Sequence, residues 1–385
     1  MRIVAIALLS LAAAGAARGE AWPPVERANS RVLLSGPVLA GSVVVWLERR
    51  GNEARLERAV PGRRPTVLFR QALRGNVSLD DLAASQGVVA LERRTVVCPP
   101  PNPPIAYSCT EQREVLGRGP SGRLRVLARS DDCGGGAISV PTSVDASGDL
   151  VAIGENVCIP PGDRRRQIVV ARLGRAGSSL VCDADLLHGP SRCRGDARVA
   201  GRFVAWSEGR NAVVVYDRLR RRVAYRPLLP RVQSFDVQAN GRLAVAYYPQ
   251  GLGGGASVAW RTRPAGGMLP FRAKVSDRSR SVVRIAGDRI LAERILFRGA
   301  SALVVSDLRG RTTRIARFAA PVRREGDFDL DGRRVTWAST RITSTRLVCP
   351  PPGEGAPCVR AETGVTTVWL GRHALARLSF GDVTR

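Results

Sequence analysis

The chain has 385 residues, of which 44% are hydrophobic and 5% aromatic, so it can bury a core as one large repeat domain or two ordinary domains. Its formal net charge of +27 is almost all arginine, because Lys274 is the only lysine. The positive electrostatic field that this charge produces attracts anionic polymers and surfaces. The arginines are scattered and do not form a stripe with stacking aromatics, so we expect no sequence-specific nucleic-acid site.

Residues 1–21 predict a secretory signal peptide. Arg2 supplies the positive start, and the apolar run Ile3–Ala14 is too short for a stable membrane span. Small residues at Ala14-Gly15-Ala16 and Gly19-Glu20-Ala21 offer cleavage sites. Residues 22–30 are a predicted linker, and no later segment predicts a membrane span. We therefore expect a secreted or periplasmic cell-envelope protein.

One phrase then recurs about seven times over residues 31–385: an apolar strand, a small residue, Gly, one linker residue and a second apolar strand. The glycines, roughly 40 to 60 residues apart as in propeller repeats, are Gly41, Gly87, Gly148, Gly201, Gly241, Gly287 and Gly332. Each repeat holds four short segments rich in Val and Ile, in the order A, B, C and D, a composition typical of strands. This pattern predicts an all-β protein with a single seven-bladed β-propeller of four-stranded antiparallel blades, and six blades as the alternative.

The first apolar segment, Arg31-Val32-Leu33-Leu34, is additional to the repeat pattern. We interpret it as a spare strand that could add to the last blade and close the ring.

The copies at Ala200–Leu219 and Ala239–Tyr247 read AGRFVAWSEGRNAVVVYDRL and ANGRLAVAY. They resemble the WD40-like repeats of TolB-type propellers, whose phrase is Ser-Pro-Asp-Gly, two residues, Ile-Ala-Phe and a strand ending in Asp. The likeness covers nearly the whole chain after the signal, although the Pro is absent and Asp precedes Gly only at Asp331. The resemblance implies a propeller of exported proteins associated with protein binding, and it transfers no catalytic residue.

All eight cysteines map to one face of the predicted propeller, where the B–C loops and the D–A connections open. An even number of cysteines in an exported chain predicts disulfides. Proximity within the blades gives the pairs Cys98–Cys109, Cys133–Cys158, Cys182–Cys193 and Cys349–Cys358.

The cysteine-bearing loops predict a rigid binding rim over blades seven, one, two and three. Two of them share the phrase Val-Cys-Pro-Pro-Pro, and proline stiffens an extended loop. The alternative is that the disulfides only protect these long loops from proteolysis in an oxidising compartment. Candidate contact residues on this face are Ile105, Tyr107, Asp183, Asp185 and His188.

Five aspartates fall on predicted first strands, which surround the central channel: Asp145, Asp196, Asp236, Asp327 and Asp329. Counting back from the glycines places Asp327 at the position of Asp196 and Asp236. Propeller glycosidases use acids in such positions, so these residues could be catalytic. The alternative is that they hold neighbouring blades together by hydrogen bonds.

We expect no metal, no cofactor and no catalytic residue. Asp327–Gly332 matches the opening of a calcium loop, but Val335 and Ala338 stand where further ligands would be required. The chain lacks a Gly-x-Ser-x-Gly elbow. Five tryptophans fall on predicted B or C strands, where we expect them to pack between blades: Trp46, Trp206, Trp260, Trp337 and Trp369.

The sequence therefore favours an exported, monomeric, non-catalytic propeller that binds a protein or polysaccharide through its disulfide-stapled face. One alternative is a propeller glycan hydrolase or lyase that uses the inner-strand carboxylates. Another is a binder of anionic cell-wall polymer through surface arginines.

Overall fold

The computed structural model describes residues 30–73, 77–97, 110–119, 122–129, 140–159, 163–173, 178–185, 193–249, 256–261, 269–275, 283–296, 300–307, 309–349 and 358–384. The predicted signal peptide and residues 22–29 of the predicted linker lie outside these ranges. Within them the chain contains only strands, turns and irregular segments, and no helix that could cross a membrane.

The strands form seven four-stranded antiparallel blades in chain order, which confirms the predicted seven-bladed β-propeller. Blades 1 to 4 contain β1 Arg31–Ala40, β2 Val43–Arg50, β3 Glu53–Ala59, β4 Thr66–Ala72, β5 Val77–Ser85, β6 Val88–Val97, β7 Thr110–Arg118, β8 Leu124–Arg129, β9 Val140–Ser147, β10 Leu150–Ile159, β11 Asp163–Arg172, β12 Ser178–Asp185, β13 Arg194–Ala200, β14 Phe203–Glu208, β15 Ala212–Asp217 and β16 Arg222–Tyr225.

Blades 5 to 7 contain β17 Val232–Val237, β18 Leu243–Tyr247, β19 Ala256–Arg261, β20 Leu269–Val275, β21 Val283–Ala286, β22 Arg289–Ile295, β23 Ser301–Asp307, β24 Thr312–Phe318, β25 Val322–Asp331, β26 Arg334–Val348, β27 Val359–Leu370 and β28 His373–Thr384. One backbone pair, Val275 with Arg294, links blade 5 to blade 6.

The recurring glycines make the A–B turns. Gly201 and Gly332 begin two-residue turns with φ values of 55° and 58°. Glycine has no Cβ and adopts this left-handed region at little cost, so it permits the chain to reverse there. The glycine-centred phrase therefore predicts both the number of blades and their phase.

The core lies between blades. Trp46, fully buried on β2, packs in a cluster that joins blade 1 to Ala338 and Val368 of blade 7. Trp337 and Trp369 stack within blade 7, with ring centroids 6.1 Å apart. Trp206 belongs to the cluster between blades 3 and 4. The Trp260 side chain lies outside the described residues.

The interpretation of Arg31–Leu34 as a separate clasp strand is wrong. These residues begin β1, the inner strand of blade 1, where Arg31 pairs with Arg50 of β2. Two register irregularities around Ser35 bend the strand, and Gly36 adopts a φ of 86°. The Gly36-Pro37 step therefore resembles a turn in the sequence but lies inside one continuous strand.

Among the described residues, the ring closes by contacts between two complete blades, which share no strand. The Ser30 hydroxyl accepts the Gly381 N–H at 3.1 Å and donates to the Gly381 carbonyl at 3.2 Å. Gly326 of β25 lies against Gly36 of β1, and a Cβ on Gly326 would stand 2.2 Å from the Gly36 carbonyl oxygen. The inner strands of the first and last blades are therefore in direct contact.

Two of the proposed disulfide pairs are present. Cys182–Cys193 joins the outer strand of blade 3 to the segment entering blade 4, and Cys349–Cys358 closes the loop between β26 and β27. Cys98, Cys109, Cys133 and the side chain of Cys158 lie outside the described residues. The two disulfides close segments of similar length, with sequence separations of 11 and 9.

We predict that replacing Cys182 and Cys193 by Ala lowers the free energy of unfolding more than replacing Cys349 and Cys358. Loop entropy contributes about 3 kcal/mol for each disulfide. Cys193 is also fully buried in the cluster between blades 3 and 4, whereas Cys349 and Cys358 are exposed. Chemical denaturation of both double variants under non-reducing conditions tests the ranking, and equal losses would contradict it.

Candidate binding face and central channel

The face that carries both observed disulfides is defined by the B–C loops and the D–A connections, and we call it the cysteine face. Its most prominent feature is the end of blade 7. There β26 continues to Val348, β27 begins at Val359 and β28 reaches Thr384. Phe380 covers the base of this extension by packing with Val32 and Ile342. The blade 7 extension, residues 341–349, 358–365 and 379–384, is thus a stapled projection beyond the ring.

The side chains on the β26 strand of the extension are largely exposed to solvent. Thr343, Ser344, Thr345, Arg346 and Leu347 are all exposed, and Leu347 retains 68% of its accessible surface. An aliphatic side chain this exposed, beside the disulfide that closes the β26–β27 hairpin, is available for contact with another molecule.

The candidate contact residues fall mostly elsewhere on the face. Asp183 is exposed on β12, where its carboxylate pairs with Arg165 at 3.1 Å. Asp185 ends β12 on the cysteine face, but its side chain is not described. Ile105, Tyr107 and His188 lie outside the described residues. The sequence did not single out Leu347, since an isolated Leu in a strand pattern carries no signal of exposure.

Three of the five predicted inner-strand acids have the same structural role. Asp145, Asp236 and Asp329 each accept a backbone N–H from the inner strand of the next blade at 2.8 Å, and the donors are Val199, Ile285 and Leu39. Ser143 and Ser234 make the same type of bond two residues earlier, to Ala197 and Val283. The inner strand of one blade therefore satisfies amides on the next.

On the inner strands of blades 4 and 6, arginines occupy the position that Asp145 and Asp329 occupy in blades 3 and 7. Arg198 lies 3.6 Å from Asp145, and Arg284 lies 3.7 Å from Asp329. Asp145, Arg198, Asp236, Arg284 and Asp329 thus alternate in sign around the channel from blade 3 to blade 7. We call this set the charged belt. An acid balanced in this way is poorly suited to act as a nucleophile.

The alignment of Asp327 with Asp236 is wrong. By its hydrogen bonds Asp329 is the counterpart of Asp236, because the A–B connection of blade 5, Gln238–Arg242, is longer than the two-residue turn of blade 7. Asp196 is 60% exposed and lies 3.9 Å from Arg198.

Burial raises the pKa of all three belt acids, and that of Asp236 rises to about 7. The arginines and the donated amides oppose this shift, because they favour the carboxylate.

Asp327 belongs instead to a cavity of about 420 Å³ where blades 7, 1 and 2 meet. The cavity is lined by Leu34, Ser35, Asp80, Asp81, Glu92, Arg94, Arg113, Arg324, Gly326 and Asp327. Asp81 sits at a register irregularity of β5 with a φ of 44°. One feature of the sequence could have indicated this cavity: the adjacent acidic pair Asp80-Asp81 lies inside a strand.

Four carboxylates and three guanidinium groups line this cavity. Arg113 pairs with Glu92 at 3.3 Å, and Arg324 pairs at 2.7 Å with Glu293, which lies outside the lining. Burial, together with Asp81 and Asp80, raises the pKa of Glu92 to about 7 against the opposing effect of Arg113. The cavity therefore suits a polar or cationic group. No cluster among the described residues has the makeup of a metal site.

No family model matches the chain, and no curated protein matches it. Among solved structures, the chain is similar to TolB from Acinetobacter baumannii, with 14% identity, 76% of this chain and 65% of that chain covered, and a TM-score of 0.41.

Two further solved structures are similar. The β-propeller domain of the Trilobed protease from Pyrococcus furiosus, which has an open velcro topology, shares 13% identity over 81% of this chain and 97% of that chain, with a TM-score of 0.46. BamB from Moraxella catarrhalis shares 10% identity over 93% of this chain and 100% of that chain, with a TM-score of 0.40.

We predict that Asp329→Ala weakens the junction between blades 7 and 1. The variant leaves the buried Leu39 N–H without an acceptor, which costs about 1–3 kcal/mol. Hydrogen exchange at Leu39 and urea denaturation measure the loss. Asp331→Ala is the matched control, because Asp331 is 51% exposed and pairs with Arg334 on its own blade; it should change stability by less than about 0.5 kcal/mol. Equal effects would contradict a specific role for Asp329.

We also predict a pH-dependent difference between the wild type and Glu92→Gln. The pKa of Glu92 in the folded protein is raised to about 7 from 4.5, so the unfolded state loses the proton first. The wild type should therefore lose stability relative to Glu92→Gln as pH rises from 4.5 to 7, with no further change above. Denaturation curves between pH 4 and 8 measure it, and a constant difference would refute the shift.

Proposed function

We propose that this chain is an exported, non-catalytic β-propeller that binds another macromolecule through its cysteine face. The observation that carries the proposal is the blade 7 extension. It is held by a disulfide at its tip and by Phe380 at its base, and it exposes Leu347 to solvent. A projection ordered before binding loses little conformational entropy in a complex.

Export is supported by two observations. Residues 1–21 have the pattern of a signal peptide, and the two observed disulfides are typical of an oxidising compartment.

The glycan hydrolase alternative has less support. Such an enzyme needs two carboxylates free to act on a glycosidic bond. Asp145, Asp236 and Asp329 are instead acceptors for neighbouring backbone amides, and two of them also face arginines. A structural role explains these bonds without catalysis.

The test is a comparison of Leu347→Asp with Leu219→Asp. Leu347 is 68% exposed on the cysteine face, and Leu219 is 71% exposed in the β15–β16 turn, which opens on the other face. The purified wild type captures partners from the exported protein fraction of its source, identified by mass spectrometry. A partner specific to the cysteine face should be retained by Leu219→Asp and lost about tenfold or more with Leu347→Asp, as for an interface hot spot.

Other outcomes would contradict the proposal. Equal capture by both variants would show that the binding site does not lie on the cysteine face around Leu347. Binding that falls steeply with salt in all three proteins would favour the anionic-polymer alternative. Release of sugars from a cell-wall glycan, abolished by Asp236→Asn, would favour the hydrolase.

A further inference from the structure

The A–B and C–D turns open on the face opposite the cysteine face, and we call this the turn face. In an antiparallel blade, strands A and C run in the same direction, so the turns that follow them lie at the same end. Hydrogen bonds link the A–B turns of neighbouring blades: the Gly148 N–H donates to the Ser85 hydroxyl at 2.9 Å, the Gly201 N–H to the Ser147 hydroxyl at 3.2 Å, and the Gln238 side-chain amide to the Gly287 carbonyl at 3.2 Å. The turns of blades 2 to 4, and those of blades 5 and 6, are therefore in direct contact.

The arginines that are scattered along the sequence meet on this face. Ten arginine side chains are exposed in the described turns: Arg63, Arg64, Arg123, Arg202, Arg220, Arg221, Arg309, Arg311, Arg333 and Arg372. They belong to blades 1, 2, 4, 6 and 7. The exposed acids of the described turns and their adjoining strand ends are Asp149, Asp288 and Asp331.

The positive charge of the turn face is not neutralised locally. Asp149 pairs with Arg172 at 3.1 Å and Asp331 pairs with Arg334, so two of the three exposed acids are matched by arginines outside this set of ten. Seven of the ten make no ion pair with another described residue: Arg63, Arg64, Arg123, Arg221, Arg309, Arg333 and Arg372. The parts of the C–D connections that lie outside the described residues, 120–121, 174–177, 262–268 and 308, contain no acid in their sequence.

An exposed leucine stands among these arginines. Leu219 retains 71% of its accessible surface in the β15–β16 turn, and Arg220 and Arg221 follow it directly. The Asp217 carboxylate accepts the N–H groups of Leu219 and Arg220 at 3.1 and 3.2 Å, which fixes the conformation of the turn. The turn thus presents one aliphatic side chain between cationic groups.

This arrangement fits an anionic bilayer better than a linear polyanion. The ten arginines are distributed over five blades, whereas a linear polyanion is matched by a stripe or a groove. The described turns contain no aromatic residue on which nucleic-acid bases could stack. A bilayer offers phosphate groups over a wide area and an apolar layer beneath them, which suits arginines around an exposed leucine.

We propose that the turn face docks on a membrane surface rich in anionic lipid, with its arginines on lipid phosphates and Leu219 inserted between the headgroups. This inference goes beyond the proposed function and does not rest on it. The turn face and the cysteine face lie at opposite ends of the blades. Docking therefore leaves the cysteine face directed away from the membrane.

Cosedimentation with lipid vesicles tests the docking. The purified protein is mixed with vesicles of phosphatidylcholine alone, or of phosphatidylcholine with about one third phosphatidylglycerol. We expect binding to the anionic vesicles only, and the affinity should fall as salt rises because the arginines are exposed. Equal binding to both kinds of vesicle, or binding to neither, would overturn the inference.

Neutralising arginines on two distant blades locates the contact. Arg64→Gln combined with Arg309→Gln removes one charge from each of blades 1 and 6, and it should weaken binding to anionic vesicles about 25-fold, since each surface arginine contributes about fivefold. Arg210→Gln combined with Arg360→Gln is the matched control, because both arginines are exposed on the cysteine face. The control should weaken binding less than about twofold. Equal losses would show attraction by net charge alone and would refute docking through the turn face.

Leu219→Ser separates insertion from charge, because it removes the aliphatic group and keeps every arginine. It should weaken binding to anionic vesicles about fivefold or more, and it should leave binding to soluble dextran sulfate unchanged. Leu347→Ser is the matched control on the cysteine face, where Leu347 is 68% exposed, and it should leave vesicle binding unchanged. Vesicle binding that ignores Leu219→Ser would indicate a site for an anionic polymer and would overturn membrane docking.

Failure of the docking and failure of the proposed function are distinguishable. All of these variants change exposed side chains, and equal unfolding midpoints would confirm that each is folded. Loss of vesicle binding leaves the proposed function intact, because capture of a protein partner depends on Leu347 and tolerates Leu219→Asp. Loss of the Leu347 effect on capture removes the proposed function and leaves membrane docking through the turn face untouched.

Discussion

The junctions from blade 3 to 4, from blade 5 to 6 and from blade 7 to 1 depend on one repeated interaction, in which a carboxylate on an inner strand accepts a backbone N–H from the inner strand of the next blade. A blade cannot bury both of its faces alone, so each must be held against its neighbours. Packing supplies most of the attraction, but packing alone leaves the inner amides without acceptors. Asp329 provides the acceptor for Leu39 at the only junction where no peptide chain links the two blades.

The same acids determine the electrostatics of the channel. Because Arg198 and Arg284 stand between them, the wall combines charges of both signs although the protein carries a net charge of +27. Buried carboxylates that lacked these partners would be strongly destabilising. The charged belt is thus explained as a structural network.

The sequence predicts the blades well because their signal is local. A glycine between two apolar segments specifies a turn, and its recurrence specifies the ring. Two of the proposed disulfides could also be predicted from cysteine spacing, since their half-cystines are 11 and 9 residues apart.

Prediction from the sequence fails for features that depend on long-range geometry. Gly36-Pro37 resembles a break although β1 runs through it, and the longer connection at Gln238–Arg242 shifts Asp236 out of alignment with Asp329. The Asp327 cavity is also invisible in any one blade, because residues from blades 7, 1 and 2 line it.

The contact between Ser30 and Gly381 has a topological consequence. Every blade is a contiguous stretch of chain, and the two ends of the propeller touch. The starting point of the propeller is therefore interchangeable in principle: a short peptide could join the last strand to the first, and the ring could be opened between any two other blades, as circular permutation requires. The contact between Ser30 and Gly381 also lies beside the blade 7 extension, so a change in chain connectivity at this junction would leave the other blades undisturbed.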